Sequence, residues 1–165
     1  MRTPRPDPVG PGQESVWDYP RPPSAGVTGR RVVVELGGRE VASTTRAVRV
    51  CETSLPPVYY VPREDVVEGV LQRASGSSWC EWKGAATYWD AVVDGRRYPG
   101  VAWSYEDPVE RYTALRGAVA FYPSRVDRAV VDGETVRAQA GDFYGGWITD
   151  EVVGPFKGEP GTLGW

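Results

Sequence analysis

Short valine-rich runs, each closed by a glycine-based turn signal, dominate the hydrophobic pattern of this chain. Residues 31–36 (Arg31-Val32-Val33-Val34-Glu35-Leu36) and 40–44 are rich in β-branched side chains and flank Gly37-Gly38-Arg39. A Gly-Gly pair supplies the positive φ of a tight hairpin turn, so the two runs are predicted to pair. The strand pattern resumes over 45–53. Side chains alternate along a strand, so Arg46, Val48, Val50 and Glu52 share one face and Ala47, Arg49 and Cys51 the other. Pro56-Pro57 breaks the run, and Val58-Tyr59-Tyr60-Val61 predicts the next strand.

Residues 63–74 are predicted as a helix. Pro62 suits a first turn, and Glu64 and Asp65 sit where the helix dipole favours anions. Val66, Val67, Val70 and Leu71 fall on one helical face, with Gly76 as the stop and Gly69 as an unfavourable interior position. A strand, a break near Gly84 and a second strand to Val93 follow. Asp94-Gly95 then turns the chain into a strand over 99–105. A second short helix is predicted from Asp107-Pro108 to Leu115. Residues 118–122 read as a strand, and 128–139 as a hairpin about Asp132-Gly133. Four Gly and two Pro between Gly154 and Gly164 forbid regular structure in the tail.

Many short strands, glycine turns and two short helices predict a mainly β, compact antiparallel domain. Residues 1–13 read as a flexible Pro-rich arm, since seven of the fifteen Pro lie between Pro4 and Pro23. Residues 14–165 read as a single β domain. Its aromatic N-terminal arm is pinned by Trp17 and Tyr19, and its Gly/Pro-rich tail is anchored by Phe156 and Trp165.

Composition narrows the function. The net charge is -3 and the pI about 5.1, which argues against nucleic acid or an anionic membrane surface as partner. There is no histidine. That removes Ser-His-Asp and Cys-His catalysis and the usual zinc and iron ligand sets. Proton transfer must fall to Asp, Glu, Lys, Tyr or Cys. Cys51 and Cys80 cannot build a four-cysteine zinc site. No secretory apolar segment follows Met1, and no run of about 18 apolar residues could span a membrane. The chain is expected to be cytoplasmic, with reduced thiols.

Ser78-Trp79-Cys80-Glu81-Trp82-Lys83-Gly84, continuing to Asp90, holds three of the seven Trp, one Cys and one Lys. Large rings mixed with ionisable groups suit a pocket wall. In a regular strand Cys80 and Trp82 face one way, and Glu81 and Lys83 the other. Cys80 and Lys83 can therefore cooperate only if the chain kinks at Lys83-Gly84. Cys80 reads as a nucleophile or as a small buried residue, and Lys83 as a desolvated cation holding an anion or as a surface side chain lying across Trp82. Glu81 could pair with Lys83 to little effect. Arg46 and Arg49 could clamp an anion, and Glu52 could serve as a general base; their alternative is solvated strand ends. Tyr59, Tyr60, Tyr88, Trp103 and Tyr105 supply rings. Sixteen Tyr and Trp against three Phe tilt these toward a wet cavity, because their polar tips need partners.

Several strings resemble the signature of the domain-of-unknown-function 427 family. They are residues 46–62 (Arg46-Ala47-Val48-Arg49-Val50-Cys51 onward), the Cys80-Glu81-Trp82-Lys83-Gly84 string, Ala120-Phe121-Tyr122-Pro123-Ser124-Arg125, and Gly145-Gly146-Trp147-Ile148-Thr149 with Gly154-Pro155-Phe156-Lys157-Gly158. The resemblance implies a topology similar to the Mss4-like or β-tent folds, with a pocket between two sheets. Those relatives include zinc-bearing adaptors, but this chain lacks paired Cys-x-x-Cys motifs, so no metal is expected. Many members carry His before the Pro-Pro pair, where this chain has Leu55. The family is also filed as nucleotidyltransferase-like, yet the chain has neither an Asp-x-Asp pair after Gly-Ser nor a Gly-rich phosphate loop.

These readings converge on a soluble β domain whose aromatic, charge-lined pocket binds a small polar or anionic metabolite. Whether it is an enzyme stays open, and no cofactor is expected. The catalytic candidates are Lys83, Glu52 and Cys80. The ligand-binding candidates are Arg46, Arg49, Tyr59, Tyr60, Trp82, Tyr88 and Trp103. Two alternatives stand beside this: a non-catalytic protein-interaction module and a nucleotidyltransferase-like activity. A homodimer is also left open.

Overall fold

The computed structural model describes residues 3–80, 82–141 and 143–165. Its strands are β1 (Glu14–Ser15), β2 (Ser24–Val27), β3 (Val32–Leu36), β4 (Arg39–Thr44), β5 (Val48–Cys51), β6 (Val58–Pro62), β7 (Leu71–Cys80) and β8 (Gly84–Val93). They continue with β9 (Arg96–Ser104), β10 (Ala118–Phe121), β11 (Arg128–Val131), β12 (Glu134–Thr135), β13 (Arg137–Ala138), β14 (Trp147–Ile148) and β15 (Val152–Val153). Seven of them form one antiparallel sheet in the order β2-β5-β6-β10-β9-β8-β7. A second antiparallel sheet runs β12-β11-β3-β4.

The hairpins follow their turn residues. In the β8–β9 and β11–β12 connections both central residues, Asp94-Gly95 and Asp132-Gly133, have positive φ. That geometry matches the twist of the flanking strands.

The expected helix over 63–74 is not formed. Only Arg63–Asp65 makes a 3-10 turn. Val66 then bridges Ala42, and the Val67 N–H donates to the Val41 carbonyl. Gly69 takes φ +86, outside the helical region, and Leu71 opens β7 opposite Ala91. Three β-branched valines satisfy their backbone against neighbouring strands more readily than within a helix. The second predicted helix is a 3-10 segment, Glu110–Leu115, kinked at Tyr112. No α-helix occurs among the described residues. None of their helices is long and apolar enough to cross a membrane.

Strand parity divides the interior in two. Tyr59, Val61, Val119 and Phe121 point from the large sheet toward Val32, Val34 and Leu36 of the small one, and Trp147 completes this core. Val48, Val50, Tyr60, Trp103, Ala118 and Ala120 point the other way. There they meet Tyr105, Tyr112, Leu115 and Tyr122. The central strands of the large sheet are thus buried on both faces, and the second face is the aromatic one.

The N-terminal arm and the tail close over one end together. β1 pairs in parallel with β15. The Trp17 indole donates to the Pro155 carbonyl at 2.9 Å and meets Trp165 edge-on at 5.7 Å between centroids. Arg30 pairs with Glu151.

Candidate functional site

The β7–β8 hairpin decides the site. Cys80 pairs with Gly84 across a three-residue loop. Gly84 has φ +105, a region L side chains rarely enter. The Lys83 carbonyl accepts from the Val109 N–H at 3.3 Å, which fixes the loop against the following segment. The chain turns where the sequence allowed a kink, and Cys80, Trp82 and Lys83 all line one cavity. The Glu81–Lys83 pairing considered from the sequence falls on a residue outside the described ones.

The cavity measures about 370 Å³. One wall is the aromatic face of the large sheet. The Trp103 indole donates to the Tyr60 hydroxyl at 3.2 Å, and the Trp103 ring lies 4.5 Å from Tyr122 and 6.1 Å from Tyr60. Tyr105 lies 6.3 Å from Tyr60. Ser78 and Tyr88 share a hydrogen bond of 2.6 Å on the hairpin side. A further part of the lining comes from late in the chain: Gln139, Phe143, Tyr144, Gly145, Gly146 and Lys157. Gln139 knits it together, since its Oε1 accepts from the Gly146 N–H at 3.1 Å and its Nε2 donates to the Lys157 carbonyl. Glu52, Leu55 and Pro56 border the cavity beside the Tyr60 wall.

Charge is unevenly matched within it. Lys83 is only 8% exposed, with Nζ 5.7 Å from the Tyr105 ring centroid. Among the described residues it makes no ion pair. Glu52 is half-buried and likewise unpaired among the described residues. Lys157 lies over the Tyr144 ring at 5.4 Å and donates to the Trp165 carbonyl at 3.4 Å. Burial raises the Tyr60, Tyr105 and Tyr122 phenols above their ordinary range, and neighbouring hydroxyl and thiol groups reinforce the shift in Tyr105. They therefore stay neutral at physiological pH and act as donors or ring surface, not as phenolate bases.

Seven of the ten residues singled out from the sequence meet here: Glu52, Tyr60, Cys80, Trp82, Lys83, Tyr88 and Trp103. Arg46, Arg49 and Tyr59 do not. Arg49 stands directly opposite Tyr59 in the β5–β6 ladder, on the face away from Val50 and Tyr60. There it bonds Glu14, the Tyr19 and Tyr59 hydroxyls (3.3 and 3.2 Å) and the Cys51 sulfur (3.3 Å), which ties the N-terminal arm to the sheet. Arg46 lies before β5, is exposed, and pairs with Glu64 and Asp65. Lys157, Gln139 and the Gly145-Gly146 pair escaped single-residue reasoning. The signal for them was the pair of Gly-rich strings around Trp147 and Phe156, which periodicity cannot interpret. Cys51 and Cys80 are both free thiols.

Residues 24–132 match a family model that carries a nucleotidyltransferase label and is described as a domain of unknown function (DUF427). The matched span contains the hairpin and the aromatic wall, whereas Gln139 to Lys157 lie beyond it. No curated protein matches the chain.

Proposed function

The chain belongs to that DUF427 family, and from this premise we propose that it is a ligand-binding domain whose aromatic cavity takes a small polar or anionic metabolite. The observation that carries this reading is Lys83, a largely buried side chain whose Nζ lies against an aromatic wall with no counter-charge among the described residues. A buried cation is costly to leave unpaired, so an anionic group on a ligand is the natural partner. The cavity volume falls at the low end of ligand pockets, which run from about 300 to 1,000 Å³. That suits a metabolite of one or two rings better than a dinucleotide. If the domain is also an enzyme, Lys83, Glu52 and Cys80 are the groups placed to act, without a metal. A cytoplasmic setting with reduced thiols belongs to the same reading.

A second reading, a protein-interaction module, draws support from Trp79 and Phe143, which line the cavity and are 72% and 80% exposed. A thermal-shift screen of metabolites on the wild type and on Lys83→Ala, Glu52→Ala and Cys80→Ser separates the two. A ligand that stabilises the wild type and loses its effect in folded Lys83→Ala supports the cavity. Equal stabilisation of all four proteins places the site elsewhere. A shift that needs both magnesium and a nucleoside triphosphate would favour the nucleotidyltransferase reading instead.

A further inference from the structure

We propose that the ligand is dipolar, an amino-acid-like compound whose carboxylate faces Lys83 and whose ammonium faces Glu52, with an aromatic body between them. This rests on the cavity being a ligand site at all. The observation behind it is that, among the charged residues lining the cavity, Lys83 and Glu52 carry opposite charges and leave each other unpaired. Salt bridges elsewhere in the chain are plentiful: Arg63 and Glu106 close to 2.5 Å, and Arg97 and Asp90 to 2.7 Å. Glu52 and Lys83 line a common wall space and make no such pair with each other or with any other described residue.

A ligand carrying a single negative charge would satisfy Lys83 and leave the Glu52 carboxylate without a partner in a cavity that then holds a second anion. A ligand carrying a single positive charge would do the reverse. A dipolar ligand satisfies both and adds no net charge to a partly dry site. The surroundings suit both charges. Glu52 lines the cavity together with the Tyr60, Trp103 and Tyr122 rings. Ring faces attract ammonium groups. Lys157 is a second cation on the cavity wall, but its ammonium bonds the Trp165 carbonyl, which leaves Lys83 as the partner for the ligand carboxylate. The neutral phenols of Tyr60 and Tyr105 can donate to that carboxylate or stack on the ligand body.

Four indole compounds test this by isothermal titration against the full chain. L-Tryptophan carries both charges, indole-3-propionate only the negative one, tryptamine only the positive one, and 3-methylindole neither. The expected result is that tryptophan binds about tenfold or more tighter than either singly charged compound, the size of a charge-assisted hydrogen bond. Glu52→Gln should erase the preference over indole-3-propionate, and Lys83→Met the preference over tryptamine. Thermal unfolding of both near-isosteric variants confirms that they are folded. If indole-3-propionate binds the wild type as tightly as tryptophan and Lys83→Met abolishes it, the dipolar inference is overturned while the anion site stands. If none of the four binds but another metabolite stabilises the wild type through Lys83, the aromatic amino-acid class is overturned. Equal binding of all four to both variants would sink the inference and the cavity reading together.

Discussion

A Cβ on Gly145 would stand 2.6 Å from Cζ3 of Trp103 and 3.0 Å from Cδ1 of Tyr122. The late segment of the chain therefore closes on the aromatic wall with no room for a methyl group. Gly145→Ala should push the Trp103 ring off its position and destabilise the fold by about 1–3 kcal/mol, as overpacking does. Urea unfolding measures the loss. A change in the near-ultraviolet circular dichroism of the folded variant would show that the rings, and not only the stability, have moved.

Most of the sheet was legible because its signals are local. Period-two alternation placed Val48 and Val50 on one face of their strand and Ala47 on the other, and the Asp-Gly pairs located two hairpin turns; the same alternation separates Tyr59 from Tyr60, which were read together as one pocket wall. The helix over 63–74 was misread because Val66, Val67 and Val70 satisfy a helical face and an extended segment equally. The contacts with Val41 and Ala42 that decide between them come from another strand. The site was legible in its residue types but only partly in its geometry. Lys83 could be placed with Cys80 only once the φ of Gly84 was known. Arg49 had the right chemistry on the wrong face, and its partner Glu14 lies 35 positions away. Lys157 and Gly145 reach the cavity through long-range closure, which leaves no periodic trace.

Gly84 makes a second prediction. Its φ of +105 strains any side chain, so Gly84→Ala should cost about 1–3 kcal/mol and shift the loop carrying Lys83. Gly76→Ala is the matched control. Gly76 has φ +91, and a Cβ there meets nothing within 4 Å, at the irregular stretch of β7. Both variants should lose comparable stability in thermal unfolding. Only Gly84→Ala should also weaken the binding of a ligand that depends on Lys83. Equal binding by the two variants would mean that the hairpin turn does not position the lysine.

The two thiols should differ in reactivity. Cys51 is 6% exposed, and burial raises its thiol despite the opposing pull of Arg49. Cys80 is half-buried and lines the cavity. Iodoacetamide should therefore label Cys80 at least about tenfold faster than Cys51, since access favours Cys80 and burial raises the Cys51 thiol. Peptide mass spectrometry reads the ratio. A ligand seated in the cavity should slow labelling of Cys80 and leave Cys51 unaffected.

The N-terminal arm should come loose in acid. Burial alone would raise the Glu14 carboxyl, but hydrogen bonds from Tyr19 and Arg49 and the Arg49 charge outweigh it and hold the group below its ordinary value. A carboxylate depressed in the folded state contributes stability that is fully present above the unfolded pKa of about 4.3 and is lost as pH falls through the lower folded value. Glu14 is 41% exposed, so solvent screening keeps the contribution to about 1 kcal/mol or less. Hydrogen exchange at residues 14–19 should accelerate below about pH 4 in the wild type. In Glu14→Gln it should be faster at neutral pH and lose that acid step. Arg49→Met should cost more, about 1–3 kcal/mol, because it removes both the charged partner of Glu14 and the donor to the buried Tyr59 hydroxyl. An acid step that survives unchanged in Glu14→Gln would assign it to another carboxylate.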